Sequence, residues 1–175
     1  GAERAHQAGA TRYCMVTSGR GPTDDDIEHF CRVTRAIKQQ LQLEICVCVG
    51  LLSEAQARKL KEAGVGWVNH NLNTSERYHP EICTTHTYQD RVRTIENVRK
   101  AGLMTCSGGI VGMGETDEDI LDLAFAVREQ KMDCALVIRG GGPVCVKQGQ
   151  VSRGERVALR GPGIQVKPPE RSRDY

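Results

Sequence analysis

The chain has 175 residues, 39% of them hydrophobic and 26% charged, and a formal net charge of +2. That is enough chain to bury a sizeable core, and the composition is that of a globular protein rather than a disordered or fibrous one. No apolar run approaches the roughly 18 to 20 residues that span a bilayer, and the N-terminal Gly-Ala-Glu-Arg-Ala-His is not a signal peptide, so the expectation is a cytoplasmic protein with no membrane partner.

Taken in order, the chain repeats one junction. Gln7–Cys14, Glu62–Asn69 and Lys100–Cys106 each read as a helix end, a capping glycine, a few strand residues and then a thiol or amide. A fourth copy, Leu41–Val49, lacks the glycine. Between them, Thr23, Ser53, Thr87 and Thr116 each stand three residues before Asp or Gln, the pattern of a capping box. Apolar residues follow at helical spacing: Ile27, Phe30, Cys31, Val33 and Ile37; Ala57, Leu60 and Ala63; Val92, Ile95 and Val98; Ile120, Leu123, Ala124 and Val127. Strand and helix alternate, which predicts an α/β fold with parallel strands and helices outside.

Such a sheet is doubly wound or a βα barrel, and in both a ligand sits at the carboxyl ends of the strands. The residues expected there are Cys14, Cys46, Cys48, Asn69, Asn71 and Cys106, and only a barrel aims successive strand ends at one volume. The expected fold is therefore a partial TIM-type (β/α) barrel of four to five parallel strands. Leu103–Ser107 reads as a short strand with Cys106 at its end, and Gly108, Gly109, Gly112 and Gly114 as a loop able to approach a bound group.

Eight cysteines with no Cys-x-x-Cys pair leave buried thiols or iron–sulfur ligation. Cys14, Cys46 and Cys106 lie on separate strands, where their sulfurs can converge on one inorganic centre. Cys31 falls on the apolar face of a helix and reads as core, Cys83 lies in a loop, and Cys48 shares the face of Cys46. Alternation turns His70 towards the helices, a structural place. His79 is expected in a loop and His86 near a helix start.

Four stretches resemble a known family: Thr-Arg-Tyr-Cys-Met at 11–15, Asn-His-Asn-Leu-Asn-Thr-Ser at 69–75, Thr-Thr-His-Thr-Tyr at 84–88, and Cys-Ser-Gly-Gly-Ile-Val-Gly-Met-Gly-Glu-Thr at 106–116. They are similar to biotin synthase, a radical S-adenosylmethionine enzyme, over Ala2 to about Asp133. The resemblance implies sulfur insertion into dethiobiotin. It brings a [4Fe-4S] cluster that cleaves S-adenosylmethionine to a 5′-deoxyadenosyl radical, and a [2Fe-2S] cluster that donates sulfur. It also implies a homodimer and an electron donor such as flavodoxin or ferredoxin.

Residue by residue, Cys14, Cys46 and Cys106 match the ligands of the two-iron cluster, with Arg12 beside them. Asn69 and Asn71 match residues lining the pocket where the adenosyl group meets dethiobiotin. Asn73 stands where many members have a ribose-binding aspartate, Ile110 would pack on the adenine, and Arg91 would meet the methionine carboxylate.

Two departures stand out. The family's Cys-x-x-x-Cys-x-x-Cys loop, which holds the radical-generating cluster, occurs nowhere in these 175 residues, so the chain alone is expected to be inactive. From 139 to 175 the chain carries eight Lys/Arg against three Asp/Glu and seven glycines between Gly140 and Gly163. Residues 1–138 are therefore expected to be barrel and 139–175 a flexible tail that reads as a junction. One aromatic, Tyr175, argues against nucleic acid. A partial barrel leaves strand edges and an inner face uncovered, which predicts self-association.

Overall fold

The computed structural model describes residues 1–139 and 142–147. Helix α1 (Ala2–Gln7) leads into β1 (Arg12–Val16), α2 (Asp24–Gln40), β2 (Glu44–Cys48), α3 (Glu54–Glu62) and β3 (Trp67–Asn69). There follow α4 (His79–Ile82), α5 (Tyr88–Lys100), β4 (Met104–Val111), α6 (Asp117–Glu129), β5 (Cys134–Arg139) and β6 (Gly142–Lys147). Among the described residues the strands form one sheet in the order β1-β2-β3-β4-β5-β6. The first five are parallel and β6 returns antiparallel to β5. This is the expected α/β partial barrel.

The helix starts follow from their caps. Thr23, Ser53, Thr87 and Thr116 each accept from the backbone N–H three residues on, while Asp26, Gln56, Asp90 and Asp119 reach back to the cap. Each such cap contributes about 1 kcal/mol. Gly9, Gly64 and Gly102, after α1, α3 and α5, all have positive φ, as helix-ending glycines do.

Strand alternation divides the sheet into two faces. Met15, Ile45, Val47, Val68, Thr105 and Ser107 are buried beneath the helices, with Ile27, Leu60 and Val98 packing onto them. The register pairs Arg12 with Glu44, Cys14 with Cys46, Cys46 with Trp67, Asn69 with Cys106 and Cys106 with Cys134, so these residues share the other face. That face has no covering layer among the described residues: Val16 is 70% exposed, and Met104 and Ile110 are also exposed.

Several expectations change in detail. The strand expected at Leu103–Ser107 runs from Met104 to Val111, which puts Cys106 in mid-strand and makes Gly108 and Gly109 strand residues. Gly109 is there for space. A Cβ on Gly109 would lie 2.6 Å from the backbone O of Asn73 and collide with Leu123. Asn73 N donates to Gly108 O and Ile110 N to Asn73 O, both 2.9 Å, so the chain after β3 is stitched to β4 across that glycine. Gly109→Ala is expected to cost about 3 kcal/mol through overpacking, read as a lower urea midpoint; an unchanged midpoint would refute the close approach.

His79 lies in a helix rather than a loop. The sixth strand falls within the segment expected to be tail: Gly142–Lys147 pairs with β5, whose last residue is Arg139. The remainder of that expectation, residues 140–141 and 148–175, lies outside the described residues.

Candidate cofactor site at the strand ends

The chemistry gathers on the uncovered face. Cys14 on β1 is exposed and Cys46 beside it on β2 is buried. Their side chains share one hydrogen bond, which holds the Cys14 thiol below its usual range, helped by the charge of Arg12 and opposed by burial. The same bond, burial, and the negative charges of Cys14 and Cys106 push the Cys46 thiol far up. Of the two, Cys14 is therefore the thiol more easily ionised. Cys106, half-buried, lies two strands along and one same-face position further towards the carboxyl edge. Cys48, the last residue of β2, is raised by burial and by Cys14.

Arg12 is held beside these thiols by two contacts. Its Nε and Nη2 donate to Glu44 Oε2 at 3.0 and 2.8 Å, and its guanidinium lies 3.8 Å from the centre of the Trp67 ring. Cys14, Cys46 and Cys106 do not close into a single-ion nest: the group of His, Cys or carboxylate atoms all within 4.8 Å of one another among the described residues is His79, Cys83 and His86.

Further along the edge the polar residues converge. Arg91, on the first turn of α5, is half-buried, and its Nη1 donates to the backbone O of Asn71 at 2.7 Å. Arg91 is therefore not a solvated helix residue. Asn69 Oδ1, Asn71 Oδ1 and Arg91 Nε are all buried with no hydrogen-bond partner. Buried polar atoms are normally satisfied, and three orphans around one edge imply a polar ligand. Asn69 ends β3, and Asn71 lies beyond the strand rather than on it. Asn73 takes a left-handed φ of 73°, which an asparagine tolerates better than most residues. Its backbone bridge to Gly109 sets it beside Ile110.

His70 is 5% exposed, within electrostatic reach of Arg91 and His86, and lies just past the end of β3. What sequence reading separated as a loop thiol and two unremarkable histidines, Cys83, His79 and His86, the structure brings together; the signal was a His-x-x-x-Cys-x-x-His spacing across a helix end.

Comparison with known proteins fits this geometry. The model of the Radical SAM superfamily matches residues 1–127. The chain belongs to the radical SAM superfamily. A second model, Arginine dihydrolase ArgZ-like, C-terminal, first region, matches residues 119–175. Biotin synthase of Staphylococcus haemolyticus is 56% identical over 76% of this chain and 42% of its own length. That of Halalkalibacterium halodurans is 53% identical over 76% of this chain and 40% of its own. The chain thus spans about two fifths of the length of these curated relatives. Among solved structures, methylornithine synthase superposes with a TM-score of 0.65 at 21% identity, over 79% of this chain and 42% of that one. An FeFe-hydrogenase maturase from Carboxydothermus hydrogenoformans gives 0.66 at 17%, over 79% and 35%. At those identities the likeness is one of fold.

The radical SAM fold makes S-adenosylmethionine and iron–sulfur clusters the groups to test against these residues. The orphaned Asn69, Asn71 and Arg91 atoms suit the hydroxyls and carboxylate of S-adenosylmethionine, and exposed Ile110 suits an apolar ring. Adjacent cysteines at 14 and 46, with Cys106 within electrostatic reach, are the sulfur donors that an iron–sulfur cluster takes. A four-iron centre does not fit: no three cysteines in these 175 residues have the Cys-x-x-x-Cys-x-x-Cys spacing.

Proposed function

We propose that this chain is part of a biotin synthase and holds that enzyme's sulfur-donor centre. The reading rests on one observation: three orphaned polar atoms on Asn69, Asn71 and Arg91 border the sheet face that carries Cys14, Cys46 and Cys106. In this reading the substrate is dethiobiotin, the enzyme is a cytoplasmic homodimer, and its reductant is a flavodoxin or ferredoxin.

When bound, S-adenosylmethionine supplies the hydrogen-abstracting radical and a [2Fe-2S] centre supplies the sulfur. Cys14, Cys46 and Cys106 would hold the two irons. Burial and its sulfur neighbours push the Cys46 thiol up, and its sulfur would ligate only as thiolate, so assembly would be favoured as pH rises. Arg12, restrained by Glu44 and Trp67, keeps a positive charge beside the thiolates. Arg91, already clamped to Asn71 O through Nη1, turns its unused Nε to the methionine carboxylate. Asn69 and Asn71 accept from ribose hydroxyls or the ureido N–H of dethiobiotin without adding charge. Asn73 meets the ribose and Ile110 packs on the adenine. The [4Fe-4S] centre is held by no residue of this chain, so hydrogen abstraction is not assigned to it.

Anaerobic reconstitution of the chain with iron and sulfide is the test. The expected product shows two-iron absorption and Mössbauer signatures. Iron that washes off, or a four-iron signature, would refute the reading.

A further inference from the structure

Within electrostatic reach of Arg91, His79, Cys83 and His86 line a cleft of ≈ 570 Å³ that the proposed function does not use. Their ligand-capable atoms all lie within 4.8 Å of one another. His79, on α4, is 1% exposed and its Nε2 is buried without a partner. Cys83, one helical turn on, caps α4, and its Sγ lies 3.5 Å from His86 Nδ1 and 3.6 Å from Nε2. Zinc–sulfur and zinc–nitrogen bonds of about 2.3 and 2.0–2.1 Å meeting at a tetrahedral angle place S and N about 3.5 Å apart, so the pair already stands at ligand separation.

We propose that His79, Cys83 and His86 bind one borderline divalent metal ion of the zinc type, with water from the cleft as fourth ligand. The donor set is that of such an ion: two imidazoles and a thiolate, neither all-oxygen nor all-sulfur. Thr85 Oγ1, 2.9 Å from His86 Nδ1, fixes the ring and leaves Nε2 for the metal, the outer contact that metal-binding histidines usually have. Protonation states agree with the geometry. Burial and the Arg91 charge lower both histidines, which keeps them neutral. Burial opposes ionisation of the Cys83 thiol, but hydrogen bonds from Thr85 and His86 and the charge of Arg91 carry it below its usual range. The ion ties α4 to the start of α5. It also takes Cys83 away from Arg91, which now shares a hydrogen bond with it, and so links this site to the strand edge.

The test is a titration of the full chain with CoCl2 alone, without iron, sulfide or S-adenosylmethionine, so that its failure leaves the sulfur-donor reading standing. The expected result is one cobalt ion with a thiolate charge-transfer band and intense tetrahedral d–d bands, displaced by ZnCl2. Loss of contacts beyond the ligands costs about 10- to 100-fold in metal affinity, so loss of a ligand in Cys83→Ser or His86→Ala is expected to cost at least about 100-fold, with circular dichroism unchanged. Arg91→Met, removing a like charge, is expected to tighten binding about tenfold. Cys46→Ala is expected to leave the bands in place. A natively folded chain without the bands, bands that survive Cys83→Ser, or bands that vanish in Cys46→Ala would each overturn the site.

Discussion

Cys46→Ala is expected to abolish the two-iron spectrum of the reconstituted chain. Cys46 stands in register with Cys14 on the neighbouring strand and is within electrostatic reach of Cys106, so it is the middle member of the trio. Removing it leaves one thiol on each side of a gap of two strands, and strand spacing alone sets that gap at roughly 14 Å between backbones. Cys14→Ala and Cys106→Ala are expected to lose the spectrum as well, each removing an end. Cys31→Ala is the control: that thiol is 1% exposed on α2, with its Sγ 3.5 Å from the backbone O of Lys59, and belongs to the helix-side core. Cys48→Ala tests the strand face itself, since Cys48 lies one same-face position above Cys46. Iron content and spectrum retained in Cys46→Ala would sink the ligand assignment.

The second large effect is on acid stability, through His70. Burial, with the charges of Arg91 and His86, lowers His70 from an ordinary 6.5 to about 3, so the folded chain keeps it neutral. Between those values the unfolded chain binds a proton that the folded chain does not. The stabilising contribution is therefore complete above about pH 6.5 and is lost as pH falls towards 3. At about 1.4 kcal/mol per pH unit the full window corresponds to about 5 kcal/mol, comparable with the stability of a small domain. His79 is lowered for the same reason and adds to the slope. Urea unfolding across this window is expected to show stability falling on acidification, and His70→Gln to flatten the slope by about one proton. An unchanged slope in His70→Gln would show that His70 does not titrate in this way. Asp119 acts lower down. Ser75 Oγ, Thr116 and Arg77 hydrogen bonds hold its carboxyl well below the usual range, so its contribution fades only as pH falls below that of an ordinary carboxylate.

The residue string alone determined the alternation of strands and helices, the four capped helix starts and the one-sided placing of Cys14, Cys46 and Cys106. Those signals are local: a cap spans three residues, and alternation repeats every two. The family likeness was legible too, because glycines such as Gly109 are demanded by a backbone approach that few other residues tolerate. Tertiary structure decided the rest. The eight-residue length of β4 and the return of β6 depend on neighbouring strands supplying hydrogen bonds to Gly108–Ile110 and to β5. The orphaned oxygens of Asn69 and Asn71, the clamp of Arg91 on Asn71 and the meeting of His79, Cys83 and His86 depend on burial and on contacts between elements far apart in the chain. No periodicity within one segment encodes which of its polar atoms will be cut off from water, because that is settled only when another segment packs over it.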